Sequence, residues 1–186
     1  MWLHWASQFV VPTVRFVFRH TYVARWERTA MVDRLRALQD RISAVNDVDR
    51  MRVGLFVDGP NVLRDEFDVD LDDVRDAAAE FGQLGVTRLY LDEHATPGLI
   101  QAAEARGYEV VITSGDVDVK LAIDAAESAV RDEIDVLAIA SRDTDFKPVL
   151  ETAGRNGIRT VAIAPGTHGR SDALRNAANE AVLLGE

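Results

Sequence analysis

From Val53 onward the chain alternates short apolar runs with longer stretches in which apolar residues recur at helical spacing between charged ones. The short runs predict strands at Val53 to Val57, Thr87 to Leu91, Glu109 to Thr113, Val136 to Ala140 and Thr160 to Ala164. The longer stretches predict helices near Leu71 to Gln83, Pro97 to Arg106, Val119 to Arg131, Phe146 to Asn156 and Ser171 to Leu183. Gly85, Gly107 and Gly157 each follow a helical run and precede a strand, where a left-handed residue can end a helix at little steric cost. Strands alternating with helices are the mark of repeated βαβ units, so residues 51–186 are expected to form an α/β domain with a mainly parallel, five-stranded sheet. In an open sheet of this kind ligands bind beyond the carboxyl ends of the strands, where the strand order reverses.

The first fifty residues follow a different pattern and read as an N-terminal helical arm, residues 1–50. Trp2 to Arg19 is aromatic and apolar, but Pro12 interrupts it and Arg15 charges it, so it is too broken for a spanning helix and no stable membrane insertion is expected. It reads as an amphipathic element packed on the domain or a partner, or as an upstream extension before a start at Met31 or Met51. A membrane-surface or RNA-facing arm is the alternative. From Trp26 to Val45, Ala30, Leu35, Leu38, Ile42 and Val45 recur at helical spacing, as one amphipathic helix would require.

Composition narrows the chemistry. The 186 residues allow one ordinary domain and an appendage, and no internal repeat or low-complexity tract is present. Cysteine is absent, which removes disulfides, thiolate metal sites and a cysteine nucleophile, so any metal is held by oxygen or histidine. The formal net charge is −10, and of the 21 basic residues only Lys120 and Lys147 are lysines. An acidic, lysine-poor surface suits a halophilic protein kept soluble in a high-salt cytoplasm, where charges are screened within about 3 Å at molar salt. The charge is also uneven. Residues 1–52 carry nine arginines against five acids, and the remainder carries twelve basic residues against twenty-six acids, which gives an acidic body with a basic arm.

Aspartates recur just after the predicted strands. The first strand runs into Asp58-Gly59-Pro60-Asn61, the third into Ser114-Gly115-Asp116-Val117-Asp118, and the fourth into Ser141-Arg142-Asp143-Thr144-Asp145. Each copy alone could be a turn or a helix cap, because these residue types favour both. Together they deliver carboxylates to one sheet edge, where mutual repulsion is costly unless a cation neutralises it. Mg²⁺ or Mn²⁺ is the natural occupant, since hard cations take oxygen ligands and complete their shell with water and substrate phosphate. Asp124 follows Asp118 by six residues, about 120° away around a helix, so it is either a supporting group or a partly buried carboxylate serving its own neighbours. His168 falls in a Gly-rich loop and reads as solvated, and Ser171 reads as the cap of the last helix.

The runs Leu55 to Asn61, Val117 to Asp124 and Ser141 to Phe146, in that order, resemble the NYN-domain branch of the PIN-like nucleases over roughly Arg52 to Leu184. The resemblance implies a three-layer α/β/α fold and metal-dependent ribonuclease activity, with Asp58, Asp118, Asp143 and Asp145 as metal ligands, Asn61 beside them and Ser141 in support. Where family members often carry Ser-Gly-Asp, this chain has Ser141-Arg142-Asp143. Arg142, Lys147 and Arg170 are the expected substrate-binding residues, neutralising an RNA backbone. RNA is the expected partner, with a second copy of the chain or another protein docking through the N-terminal arm. The net charge of −10 opposes RNA affinity unless salt screens the body, metal offsets the site or the arm supplies the attraction. Rival readings are a non-catalytic RNA- or protein-binding module of the same fold and an aspartyl-nucleophile phosphatase. The phosphatase is disfavoured because position 60, where a second acid is wanted, is proline. A dinucleotide enzyme is weaker still, since no Gly-x-Gly-x-x-Gly turn follows the first strand.

Overall fold

The computed structural model describes residues 31–39, 51–64, 69–166 and 172–185. The chain divides into two compact units, Met1–Asn46 and Asp47–Glu186. In the first, residues 31–39 form helix α1, which exposes Met31, Val32, Leu35 and Leu38. The remainder of the predicted arm lies outside the described residues. Among those described, no helix is long and apolar enough to cross a membrane.

The second unit is built on a six-stranded sheet in the order β3-β2-β1-β4-β5-β6, with every pairing parallel. The strands are β1 (Arg52–Asp58), β2 (Gln83–Asp92), β3 (Glu109–Thr113), β4 (Val136–Ala140), β5 (Arg159–Pro165) and β6 (Glu180–Leu184). The helices are α2 (Gly59–Val62), α3 (Leu71–Ala79), α4 (Pro97–Ala105), α5 (Val117–Val130), α6 (Lys147–Arg155) and α7 (Asp172–Ala177), with a 3₁₀ turn at Thr144–Phe146. The strand order reverses between β1 and β4.

Side-chain alternation along the central strands divides the core into two. Leu55 and Val57 of β1, Val136, Ala138 and Ala140 of β4, and Val161 and Ile163 of β5 meet Val74 and Ala78 of α3 and Ala103 of α4. The intervening Phe56, Leu137, Ile139 and Ala162 meet Leu121 and Ala125 of α5, Leu150 of α6 and Leu174 of α7. Helices on both faces leave β4 buried along its whole length, which is why it reads as an uninterrupted apolar run. The three-layer α/β/α expectation is therefore met.

Two expectations are corrected. The sheet has six strands, not five: the helix expected from Ser171 to Leu183 stops at Ala177, and the chain pairs with β5 from Glu180. Asn179 causes the change of direction. Its backbone N–H donates to Thr160 Oγ1 at 3.0 Å, while its side-chain oxygen accepts from Thr160 N at 2.9 Å and from the Thr160 hydroxyl at 3.0 Å. The following Ala181-Val182-Leu183-Leu184 is a short apolar run that periodicity cannot assign to helix or strand. Second, α3 ends at Ala79 and Gly82, with φ of 147°, is the left-handed residue at the turn. Gly85 lies inside β2, whereas Gly107 and Gly157, each with φ of 82°, sit where expected.

Gly59 has ordinary helical geometry and is required for a different reason. A Cβ there would collide with Leu91 Cδ2 and lie 2.8 Å from the Tyr90 carbonyl oxygen, so β1 can pass into α2 beside β2 only without a side chain. Gly59→Ala is expected to cost about 1–3 kcal/mol through overpacking. Gly154→Ala in α6 meets nothing within 4 Å and should gain up to about 1 kcal/mol from helix propensity. Urea unfolding of the two variants checks the opposite signs.

Candidate active site

Asp58 ends β1 at the strand-order reversal and is fully buried. It shares the parity of Phe56, so its side chain turns to the face covered by α5 and α6. Its carboxylate is held from two sides. Asn61 donates to it through Nδ2 at 2.6 Å and through its backbone N–H at 3.3 Å, and the Ser141 hydroxyl donates at 2.8 Å. Ser141 Oγ in turn accepts from Asp143 N at 3.0 Å, and Asp143 Oδ1 accepts from Asp145 N at 2.9 Å. A hydrogen-bonded run thus links the end of β1 to the loop after β4. Burial pushes the Asp58 carboxyl up from the ordinary aspartate range, the hydrogen bonds from Asn61 and Ser141 pull it back, and the charge of Asp143 adds to the rise.

Asp118 arrives from the other side of β1, on the first turn of α5. Asp116 caps that helix by accepting from Asp118 N at 3.0 Å. Asp118 precedes the buried Leu121 by three positions and Ala125 by seven, which sets it on the stripe facing the sheet. Its carboxyl is pushed up to about 6, first by burial and then by the charges of Asp58, Asp143, Asp116 and Asp145. The carboxylates from three strand ends therefore sense one another.

The donor chemistry fits a hard divalent cation: every group is a carboxylate, and after burial the largest effects on Asp118 are the charges of its neighbouring aspartates. The carboxylates do not form a closed cage, since among the described residues no three acidic or histidine side chains stand as a ready-made ligand set. An ion bound here would depend on water and substrate oxygens for the rest of its shell, which is how Mg²⁺ is commonly held.

The other sequence candidates distribute unevenly. Asp124 is buried, but its hydrogen bonds come from Tyr90 at 3.0 Å and Lys120 at 2.6 Å, with Arg88 3.9 Å away, so it serves the α5–β2 contact rather than touching Asp58 or Asp118. Ser141 is bonded directly to Asp58, a closer role than support at a distance. Arg142 is half-buried in the loop before Asp143, and Lys147 begins α6 with Glu151 3.6 Å away. Arg170, His168 and Ser171 lie outside the described residues. Arg64 was not anticipated. It donates to Asn61 Oδ1 at 3.1 Å and to the Pro60 carbonyl at 2.9 Å, which brings a guanidinium to the rim one residue removed from Asp58. Its three-residue spacing from Asn61 was the available signal.

Comparison with known proteins agrees with this arrangement. Residues 52–185 match the NYN domain model. An uncharacterised protein of Methanocaldococcus jannaschii is 41% identical over 135 residues, which cover 73% of this chain and 56% of that relative, so the chain spans little more than half of the relative's length. A crystal structure of a protein of unknown function from Vibrio parahaemolyticus shares the fold, with a TM-score of 0.62 at 20% identity over 73% of this chain and 94% of that one. The fold and the edge site define a PIN-like α/β domain. The chain belongs to the NYN domain family, a branch of the PIN-like ribonuclease superfamily whose nucleases generally use divalent metals.

The raised Asp118 carboxyl has a thermodynamic signature. Because its folded value, about 6, exceeds the unfolded value of 3.8, the stability it contributes is complete below pH 4 and is lost as the pH rises through 6. For a half-exposed group this amounts to about 1 kcal/mol after allowance for solvent screening. In chelator, Asp118→Asn should therefore be more stable than wild type by about that amount near pH 7 and equal to it near pH 4. Urea unfolding at the two pH values measures this; a difference independent of pH would reject the carboxylate clustering.

Proposed function

We propose that this chain is a metal-dependent ribonuclease that cleaves RNA phosphodiester bonds with water. The observation that carries the reading is the meeting of Asp58, Asp118, Asp143 and Asp145 at the strand-order reversal, in a member of a nuclease superfamily. Mg²⁺ or Mn²⁺ held by these carboxylates would supply charge neutralisation at the scissile phosphate and activation of the attacking water. Asp58, Asp143 and Asp145 would hold one ion, with Asp118 serving the same ion or a second. Asn61 and Ser141 keep the Asp58 carboxylate in one orientation, which would orient it toward an ion. Arg142, Lys147 and Arg64 neutralise the RNA backbone around the acidic centre, Arg170 is assigned the same task from the sequence alone, and in-line attack by water would leave 5′-phosphate and 3′-hydroxyl ends.

A body this acidic repels nucleic acid, so either the arginine-rich segment before residue 53 supplies the attraction or a cytoplasm salty enough to screen the body removes the repulsion. The same segment is the proposed docking element for a second copy or a protein partner. A second reading, a non-catalytic RNA- or protein-binding module of the same fold, is favoured by one observation: the described carboxylates do not form a ready-made ligand trio.

Incubation of the purified chain with labelled single-stranded RNA, with Mn²⁺, Mg²⁺ or chelator and at low and molar salt, separates the two. Cleavage is expected with metal only. Asp58→Asn, Asp143→Asn and Asp145→Asn should each lose more activity than the roughly 10- to 100-fold expected for Ser141→Ala, which removes the supporting hydrogen bonds to Asp58 and from Asp143 N but no proposed ligand. Activity that survives chelator or Asp58→Asn would reject the mechanism, and binding without cleavage in every metal would favour the second reading.

A further inference from the structure

The loops after β3 and β4 carry the same short pattern. Ser114-Gly115-Asp116-Val117-Asp118-Val119-Lys120 and Ser141-Arg142-Asp143-Thr144-Asp145-Phe146-Lys147 both read Ser-x-Asp-x-Asp-x-Lys, and each has an acid four residues further on, Asp124 or Glu151. The two copies are also built alike. In each, the first aspartate accepts from the backbone N–H of the second, at 3.0 Å for Asp116 and Asp118 and at 2.9 Å for Asp143 and Asp145. In each, the lysine lies at the start of the following helix and pairs with the acid one turn on, at 2.6 Å for Lys120 and Asp124 and at 3.6 Å for Lys147 and Glu151. The two copies approach each other, since α5 packs on the 3₁₀ turn and on α6, and the acids of the second act on Asp118.

Of 21 basic residues these are the only two lysines, so in a chain that otherwise uses arginine both stand two positions after a proposed metal ligand. Their chemistry gives a reason. A guanidinium offers a planar fork that binds carboxylates bidentately, and beside Asp118 or Asp145 it would compete with a cation for the ligands. An ammonium is a compact point charge with three donors, so one contact to Asp124 or Glu151 leaves donors for a phosphate oxygen. Both side chains are about half exposed, 46% for Lys120 and 50% for Lys147, so neither ammonium is closed off from solvent by its ion pair.

We propose that Lys120 and Lys147 form a matched pair of phosphate contacts, one on each arm of the duplicated Ser-x-Asp-x-Asp-x-Lys loop, that hold a single RNA strand across the aspartate cluster. The pair rests on the ribonuclease reading for its ligand and adds Lys120, which otherwise is only the ion-pair partner of Asp124. It also gives an acidic centre in an acidic body a means of retaining a polyanion, since each arm carries its own cation two positions after a proposed ligand.

The test is the salt dependence of binding of a short fluorescent single-stranded RNA to the full chain in chelator, read by anisotropy. Each phosphate contact on a single strand contributes about 0.7 to the slope of log affinity against log salt. Lys120→Ala and Lys147→Ala should each lower the slope by about that amount, and the double variant by about twice it. Lys120→Gln can still donate to Asp124 without the charge, so it should lose the same slope as Lys120→Ala while keeping the wild-type melting temperature. Lys120→Arg should keep the slope but weaken Mn²⁺ binding in calorimetry. A wild-type slope in Lys120→Gln would overturn the pair and return Lys120 to a structural role. RNA cleavage by wild type with unchanged slopes in both lysine variants would sink the pair alone, whereas slope losses without cleavage in any metal would sink the ribonuclease reading alone. No RNA binding by wild type would overturn both.

Discussion

Asp58 has no solvent exposure, and an ionised carboxylate there would be several kcal/mol out of balance without partners. Its partners are one near and one distant in sequence, Asn61 three residues on and Ser141 eighty-three residues on, so the cost of burying one charge is met only when β1 and β4 lie side by side. The same Ser141 hydroxyl then fixes the Asp143 backbone, and Asp143 fixes Asp145. One buried carboxylate thereby organises the loop that carries two further acids. Gly59 belongs to the same constraint, because the chain can leave β1 beside Tyr90 and Leu91 only where no side chain intrudes.

Much of this was readable in advance because a parallel sheet places post-strand residues at one edge. Asp58, Asp118, Asp143 and Asp145 each follow an apolar run whose length and β-branching identify it as a strand, so their meeting followed from topology alone. What could not be read depended on particular side-chain pairings. Asn179 turns the chain by bonding to Thr160, and no periodicity in Ala181 to Leu184 distinguishes the edge strand from the end of a helix. Asp124 lies on the inner face of α5 as an acidic ligand would, but Tyr90 and Lys120 claim it, and neither is adjacent to it in sequence. Arg64 reaches the site through Asn61, a link that requires α2 to be helical over only four residues.

The Asp124 group also has a mechanical role. Burial, then the charge of Asp124, raises the Tyr90 phenol, which therefore stays a hydrogen-bond donor, and Tyr90 stacks on Phe56 with ring centroids 6.4 Å apart. The middle of α5 is thus tied to β2 through Asp124 and Tyr90, and Tyr90 in turn stacks across to β1. Asp118 itself is set at the helix start by the Asp116 cap, which accepts from its backbone N–H.

The strand order has a further consequence for the growing chain. Translation delivers β1, β2, β3 and α5 first, a half-sheet that already contains Asp58 and Asp118, while β4 must later add to the other side of β1 across a long stretch of chain. Ser141, Asp143 and Asp145 arrive only with that second half. The acidic centre is consequently the seam along which the two halves close, and a nascent or half-folded chain holds only Asp58 and Asp118 of it.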